Sequence, residues 1–133
     1  EIAAITAMKH AGNSVVTAST DSVDFLLPIK NGDILSYEAM VSYTGSSSME
    51  VCVQIIIEDV FEGERKLAAL SFLTFVALDQ SGKPTQVPQV YPEDKVEKWF
   101  HETAPQRVAR RKERRDESKN TIEYLSKIQH IER

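Results

Sequence analysis

Residues 45–59 read Gly45-Ser46-Ser47-Ser48-Met49-Glu50-Val51-Cys52-Val53-Gln54-Ile55-Ile56-Ile57-Glu58-Asp59. A Gly-Ser turn is followed by apolar side chains at every second position: Met49, Val51, Val53, Ile55 and Ile57. A period of two places one face of a strand against a core. The pattern extends to both sides. Upstream, Leu35, Tyr37, Ala39, Val41 and Tyr43 share a face of a strand over 34–44, entered from the turn pair Asn31-Gly32. Downstream, Phe61-Glu62-Gly63-Glu64-Arg65 reads as a loop, and 66–79 is apolar on both faces. That composition predicts a central strand covered on both sides. Gln80-Ser81-Gly82-Lys83-Pro84 ends it. Nearer the start, 15–20 continues to Val23 and Phe25 as a strand with many polar side chains.

A helix precedes these strands. Ile2, Ala3, Ala4, Ile5, Ala7 and Met8 crowd into ten residues that stop at Gly12-Asn13. A helix apolar on most sides is expected to be buried. Long strands joined by short turns make a curved sheet, and this helix is the object for it to wrap. The fold class is therefore α+β, a curved antiparallel sheet around a central helix. The helix has no Ser, Thr, Asp or Asn cap before Ile2, so residues are expected upstream.

After Pro88 and Pro92 the pattern changes. Glu93-Asp94 opens a helix with Val96, Trp99 and Phe100 on one stripe, and Pro105 is expected to interrupt it. A basic helical run follows over 107–115. A polar helix over 121–133 repeats Ile122, Leu125, Ile128 and Ile131 every three residues, a weak coiled-coil signal. The division is a sheet domain over 1–90 and a C-terminal helical extension over 91–133.

Bulk properties exclude several classes. The formal net charge is −4 over 133 residues, with 41% hydrophobic, which suits one globular domain. No apolar run spans a bilayer, and no signal peptide is seen. The lone Cys52 fits a reducing, cytoplasmic location. Charge is uneven: residues 107–133 are basic and the remainder acidic. Nucleic acid is disfavoured as a partner, since the body is acidic and no aromatic-basic platform occurs. His10, His101 and His130 form no metal-ligand spacing with Cys52.

Four segments together resemble a known family. Val16-Thr17-Ala18-Ser19 through Asp21, Phe25, Pro28-Ile29 and Gly32-Asp33 is similar to the second-strand motif of the hot-dog acyl-CoA hydrolases. Gly45 to Val51 resembles their turn-and-strand motif. Phe72 to Asp79, Gly82-Lys83-Pro84 and Val87-Pro88 resemble their last core strand. Arg107 and Arg110-Arg111-Lys112 resemble the basic segment that follows. The matches run in family order over roughly residues 1–115.

The resemblance implies a hot-dog fold. It also implies hydrolysis of acyl-CoA to a free acid and CoA, with no required cofactor and with CoA as substrate and product ligand. It implies protomers joined edge to edge into a dimer, often a trimer of dimers, with sites at the dimer interface. The family's Asp or Asn nucleophile or base, a loop Asn and a Gly-Gly step are expected before Glu1, so no catalytic residue receives a number. For ligand contact the resemblance points to Gly45, Ser46, Ser47, Ser48 and Met49. Arg107, Arg110 and Arg111 are candidates for the ADP phosphates, since guanidinium suits phosphate geometry.

Plainer readings stand beside these. The serines could be an ordinary turn, and the arginines a solvated helix face. Phe25 could line the acyl-thioester pocket or belong to the core. Glu1 is a weak substitute carboxylate at a fraying end. His10 suits a helix C-terminus. Cys52 has no His partner for nucleophilic work. Asp21 and Asp24, three apart on a strand, are expected on opposite faces. Two rival functions remain: a non-catalytic acyl-CoA or CoA binding module, and a dehydratase, which would want a His near Glu1.

Overall fold

The computed structural model describes residues 1–21 and 23–129. In chain order the elements are α1 (Ile2–Ala11), β1 (Ser14–Thr20), β2 (Asp24–Phe25), β3 (Ile34–Thr44), β4 (Ser48–Asp59), β5 (Glu64–Leu78) and α2 (Lys95–Gln129). The strands form one antiparallel sheet in the order β1-β5-β4-β3, with β2 also paired to β5. The α+β expectation is met, and β5 is central as its two-faced apolar pattern indicates.

The core lies between α1 and one face of the sheet. Ala3 and Ala7 of α1 meet Met49, Val51, Val53, Phe75 and Ala77. Small helix residues let the helix axis approach the sheet closely. Gly12, with φ 69°, closes α1 by donating its N–H to the Met8 carbonyl at 2.9 Å. The helix is less enclosed than its composition suggests. Ile2, Ile5 and Met8 remain about 40% exposed, because the sheet of one protomer covers a single side.

The strands differ from the sequence reading at four points. The polar strand over 15–25 divides: β1 ends at Thr20, and β2 pairs separately with Leu70 and Ala69. A bulge between Thr17 and Ser19 leaves Ala18 outside the register. In β3, a second irregularity between Val41 and Tyr43 turns Tyr43 to the other face, where its ring meets His101 at 5.4 Å. The expected loop over 61–65 is shorter. Asp59 accepts the N–H groups of Phe61 and Glu62, Gly63 bonds back to the Asp59 carbonyl, and β5 already begins at Glu64.

Pro105 does not interrupt the C-terminal segment. α2 is one helix of 35 residues with Pro105 inside it. Pro105 removes one backbone donor, and side chains supply others in that turn. Thr103 donates its hydroxyl to the Trp99 carbonyl at 2.9 Å, and Arg107 donates to the Phe100 carbonyl. The start is capped reciprocally: Asp94 accepts the Glu97 N–H at 2.7 Å, and Glu97 accepts the N–H groups of Asp94 and Glu93. Ile131 of the three-residue stripe lies outside the described residues.

Candidate functional site

The register divides side chains between the two faces. Leu73, Phe75 and Ala77 face α1; Phe72, Thr74 and Val76 face the opposite, outer side. One row on the outer side is polar. Ser19 pairs with Thr74, and Thr74 with Glu50, while the Ser42 hydroxyl donates to the Glu50 carboxylate at 2.7 Å. Glu50 is 3% exposed. A buried carboxylate demands partners, and α2 supplies them. Arg107 makes a bidentate pair with Glu50, its Nη2 at 2.7 Å, and Arg111 reaches the other oxygen at 2.6 Å. Arg107 also lies over the Phe72 ring, 4.2 Å from its centroid. Asp21 extends the network to Arg111 and, at 2.7 Å, to Arg114.

This arrangement assigns the basic run distinct places. Arg107 and Arg111 are buried and committed to Glu50, so in the protomer they hold α2 on the sheet. Arg110 is exposed and lines a groove of about 290 Å³ with Asp21, Asp24, Phe72, Arg107 and Arg114. Asp21 and Asp24 therefore meet in one groove. The opposite-face expectation fails because the chain leaves β1 after Thr20. A second groove of about 310 Å³ lies between β1 and α2.

The Ser-rich segment is an ordered turn between β3 and β4. Gly45 donates to the Ser48 carbonyl at 2.9 Å, the Ser47 carbonyl accepts from Ala77, and the Ser46 carbonyl accepts from Val87. A Cβ at Gly45 would sit 2.6 Å from the Ser48 hydroxyl oxygen, which would have to rotate away. Ser46 is exposed, whereas Met49 is fully buried in the core against α1. Phe25 is 67% exposed. It pairs with Ala69, which pairs with Ile55, so it belongs to the α1 face rather than to the sealed core.

Other titratable groups take structural parts. The Cys52 thiol is buried on the outer face, and its pKa is pushed up to about 12 by desolvation, then by Glu50. A thiol held protonated is no nucleophile. His10 bonds through Nε2 to the Pro88 carbonyl at 2.7 Å, tying α1 to the segment after β5. Burial works against the charge on Arg111, but Asp21 and Glu50 outweigh it and raise its pKa. No group of His, Cys, Asp and Glu suited to a metal ion occurs among the described residues.

Sequence reading missed two contributors. Glu50 looked like an ordinary strand residue, and Asp21 like an interface group. The available signal was a carboxylate inside a strongly alternating strand, together with Arg107, Arg111 and Arg114 at helical spacings of four and three.

The thioesterase superfamily model matches residues 1–62. The uncharacterized acyl-CoA thioester hydrolase YkhA of Bacillus subtilis is 52% identical over 89% of this chain and 69% of its own. An acyl-CoA hydrolase from Staphylococcus aureus, solved with butyryl-CoA, CoA and CoA disulfide, is 76% identical. It superposes with a TM-score of 0.91 over 94% of this chain and 76% of that one. Variants of that enzyme with alanine replacing one asparagine, one aspartate or one threonine match equally closely. An apo-hexameric acyl-CoA thioesterase is 54% identical, with a TM-score of 0.78 over 85% of this chain and 72% of that one. The helix against an antiparallel sheet is thus the hot-dog fold, and the chain belongs to the acyl-CoA thioester hydrolases of the thioesterase superfamily.

Proposed function

We propose that this protein hydrolyses acyl-CoA thioesters to a carboxylic acid and CoA. The carrying observation is the 76% identity, at a TM-score of 0.91, to a hydrolase whose structure holds butyryl-CoA and CoA. The reaction adds water across the thioester: a C–O bond forms, the C–S bond breaks, and CoA leaves as the thiol. A polar side chain at the open edge of the α1 face suits orientation of that water. Thr17 has this position. It is exposed, pairs with Phe75 and so faces the α1 side, and it stands at the β1 bulge. We assign it as the counterpart of the threonine replaced in the staphylococcal variant.

The turn Gly45–Ser48 and Arg110 are proposed CoA contacts. Ser46 is exposed, and Arg110 has no partner among the described residues. Phe25 is proposed to line the acyl-thioester pocket from the α1 face. Assembly is proposed as an edge-to-edge dimer, built further to a trimer of dimers. Support comes from β1 as an open sheet edge, the half-exposed Ile2, Ile5 and Met8, and the hexameric relative. A cytoplasmic location is proposed from the reduced Cys52. Among the described residues no helix is long and apolar enough to cross a membrane.

The test is release of CoA from butyryl-CoA by the intact protein, followed with a thiol reagent. Release above the buffer rate is expected, and Thr17→Ala is expected to lower kcat by about 10²-fold. Binding without release would identify a CoA-binding module instead.

A further inference from the structure

α2 follows one transverse row of the sheet and then leaves it. Tyr43, Glu50, Thr74 and Ser19 stand side by side across β3, β4, β5 and β1. Along that row His101 meets Tyr43, Arg107 and Arg111 hold Glu50, and Arg115 and Ser118 stand beside Ala18 and Ser19. β1 is the last strand on this side. Beyond Arg111 every described residue of α2 except Ser126 is exposed. The segment from Ser118 to Gln129 therefore reaches past the β1 edge, and it is about 17 Å long at the ordinary helical rise. That length covers the width of roughly three further strands.

This arm stays apolar in the direction that faced the sheet. Ile122 follows Arg111 by about three helical turns and Leu125 follows Arg107 by about five, so both keep that direction. They are 49% and 41% exposed. A helical end of this length has little stability without tertiary cover. A matching surface exists on the sheet. Val16 pairs with Val76, so both are on the outer face, and Val16 is 47% exposed because α2 crosses β1 further along, at Ser19. The arm does not cover its own Val16, since it leaves the edge at Ser19 and runs away from the strand.

We propose that the arm docks on a second copy of this chain, with Ile122 and Leu125 packed on that copy's Val16 and Val76. The contact rests on the edge-to-edge dimer, in which β1 pairs with β1 of the second copy. Antiparallel pairing of a strand with its own copy is two-fold symmetric, so the outer face of one protomer continues into that of the other. A two-fold near the middle of β1 sets the level of Ser19, late in the strand, against the early part of the second β1, where Val16 stands. Each arm thus crosses the seam onto the neighbour's uncovered valines, and the second arm returns the contact. Strand pairing supplies backbone hydrogen bonds, and the arms add apolar burial on the outer face of the seam.

Cross-linking of the intact protein tests the contact. Chains with Val16→Cys and tagged chains with Leu125→Cys are co-expressed, purified together and oxidised; Cys52 is buried and does not compete. A disulfide between the two chains is expected. None is expected between Leu125→Cys and Phe61→Cys, at the exposed β4–β5 hairpin tip. The seam is read separately: Val16→Cys alone, treated with a short bismaleimide, should link two copies. In sedimentation, Ile122→Ser/Leu125→Ser should raise the dimer dissociation constant about tenfold. The near-ultraviolet signal of Trp99 should not change, because both side chains are exposed in the protomer. Self-linking of Val16→Cys with no disulfide between Val16→Cys and Leu125→Cys chains overturns the arm contact and leaves the edge-to-edge dimer standing. An unchanged dissociation constant in the double variant does the same. Loss of both links overturns the edge-to-edge dimer and the arm contact with it. A disulfide to Phe61→Cys in place of Val16→Cys overturns the docking site.

Discussion

The two faces of this sheet are covered by helices in opposite ways. The inner face meets α1 through alanines and large apolar strand residues, Met49, Val51 and Phe75. The outer face meets α2 through a buried carboxylate and two buried guanidiniums. The inner contact is non-directional and tolerates conservative repacking. The outer contact is directional, because a buried charge is stable only with its partner in place. The long α2 therefore has its register fixed at Glu50, although most of its length is exposed.

The strongest way to break this contrast is Glu50→Gln. It leaves two buried arginines short of charge, and should cost roughly 3–5 kcal/mol in urea unfolding. A triple replacement, Glu50→Met with Arg107→Met and Arg111→Leu, should recover much of that loss, since no charge stays buried alone. A triple variant less stable than Glu50→Gln would show that the outer face depends on more than paired charge.

The inner face should respond to volume instead. Ala7→Leu forces a larger side chain between helix and sheet and should cost about 1–3 kcal/mol. It should leave α2 in place, checked by the near-ultraviolet signal of Trp99. The loss of α2 contacts in this variant would mean that the faces are coupled.

Cys52 sharpens the account of the outer face. Its raised pKa, about 12 against an ordinary 9.0, means that the folded state keeps a proton which the unfolded chain gives up. Stability on this account is intact below pH 9 and declines as pH rises from 9 towards 12. At pH 8 the folded protein should alkylate about a thousandfold more slowly than the urea-unfolded chain. Comparable rates would place the thiol in solvent.

The smallest effect is expected in the turn after β5. Asp79 accepts the Ser81 hydroxyl and the N–H groups of Ser81 and Lys83, with the Ser81 bond the largest cause of its lowered pKa. A lowered carboxylate pKa stabilises above its unfolded value and is lost as pH falls through the folded one. Asp79→Asn should lower stability slightly at pH 7, where the charged carboxylate holds the turn, and the gap to wild type should close as pH falls below 4.

Most of the fold was legible because it is written in periodicity. The alternation of Met49, Val51 and Val53 and the two-faced pattern of 66–79 place strands without knowledge of partners. The bulges at Ala18 and Ser42 were not legible, since an extra strand residue changes pairing without changing composition. Helical continuity through Pro105 was hidden for a related reason: it is supported by Thr103 and Arg107, and Arg107 is positioned by Glu50, far away in sequence. The same long-range pairing explains why the basic run could be identified but not divided into anchors and free cations. The turn at Gly45–Ser48 was recognisable as a motif, but its attachment to Ala77 and Val87 depends on tertiary approach.

One kinetic comparison weighs the whole reading: the rate of CoA release from butyryl-CoA by the intact wild-type protein and by Thr17→Ala, with thermal unfolding measured on both. Wild type should release CoA well above the buffer rate, and Thr17→Ala should lower kcat by about 10²-fold with its unfolding temperature unchanged. Tight butyryl-CoA binding by wild type with no release above buffer would contradict the hydrolase and leave a binding module of the same fold.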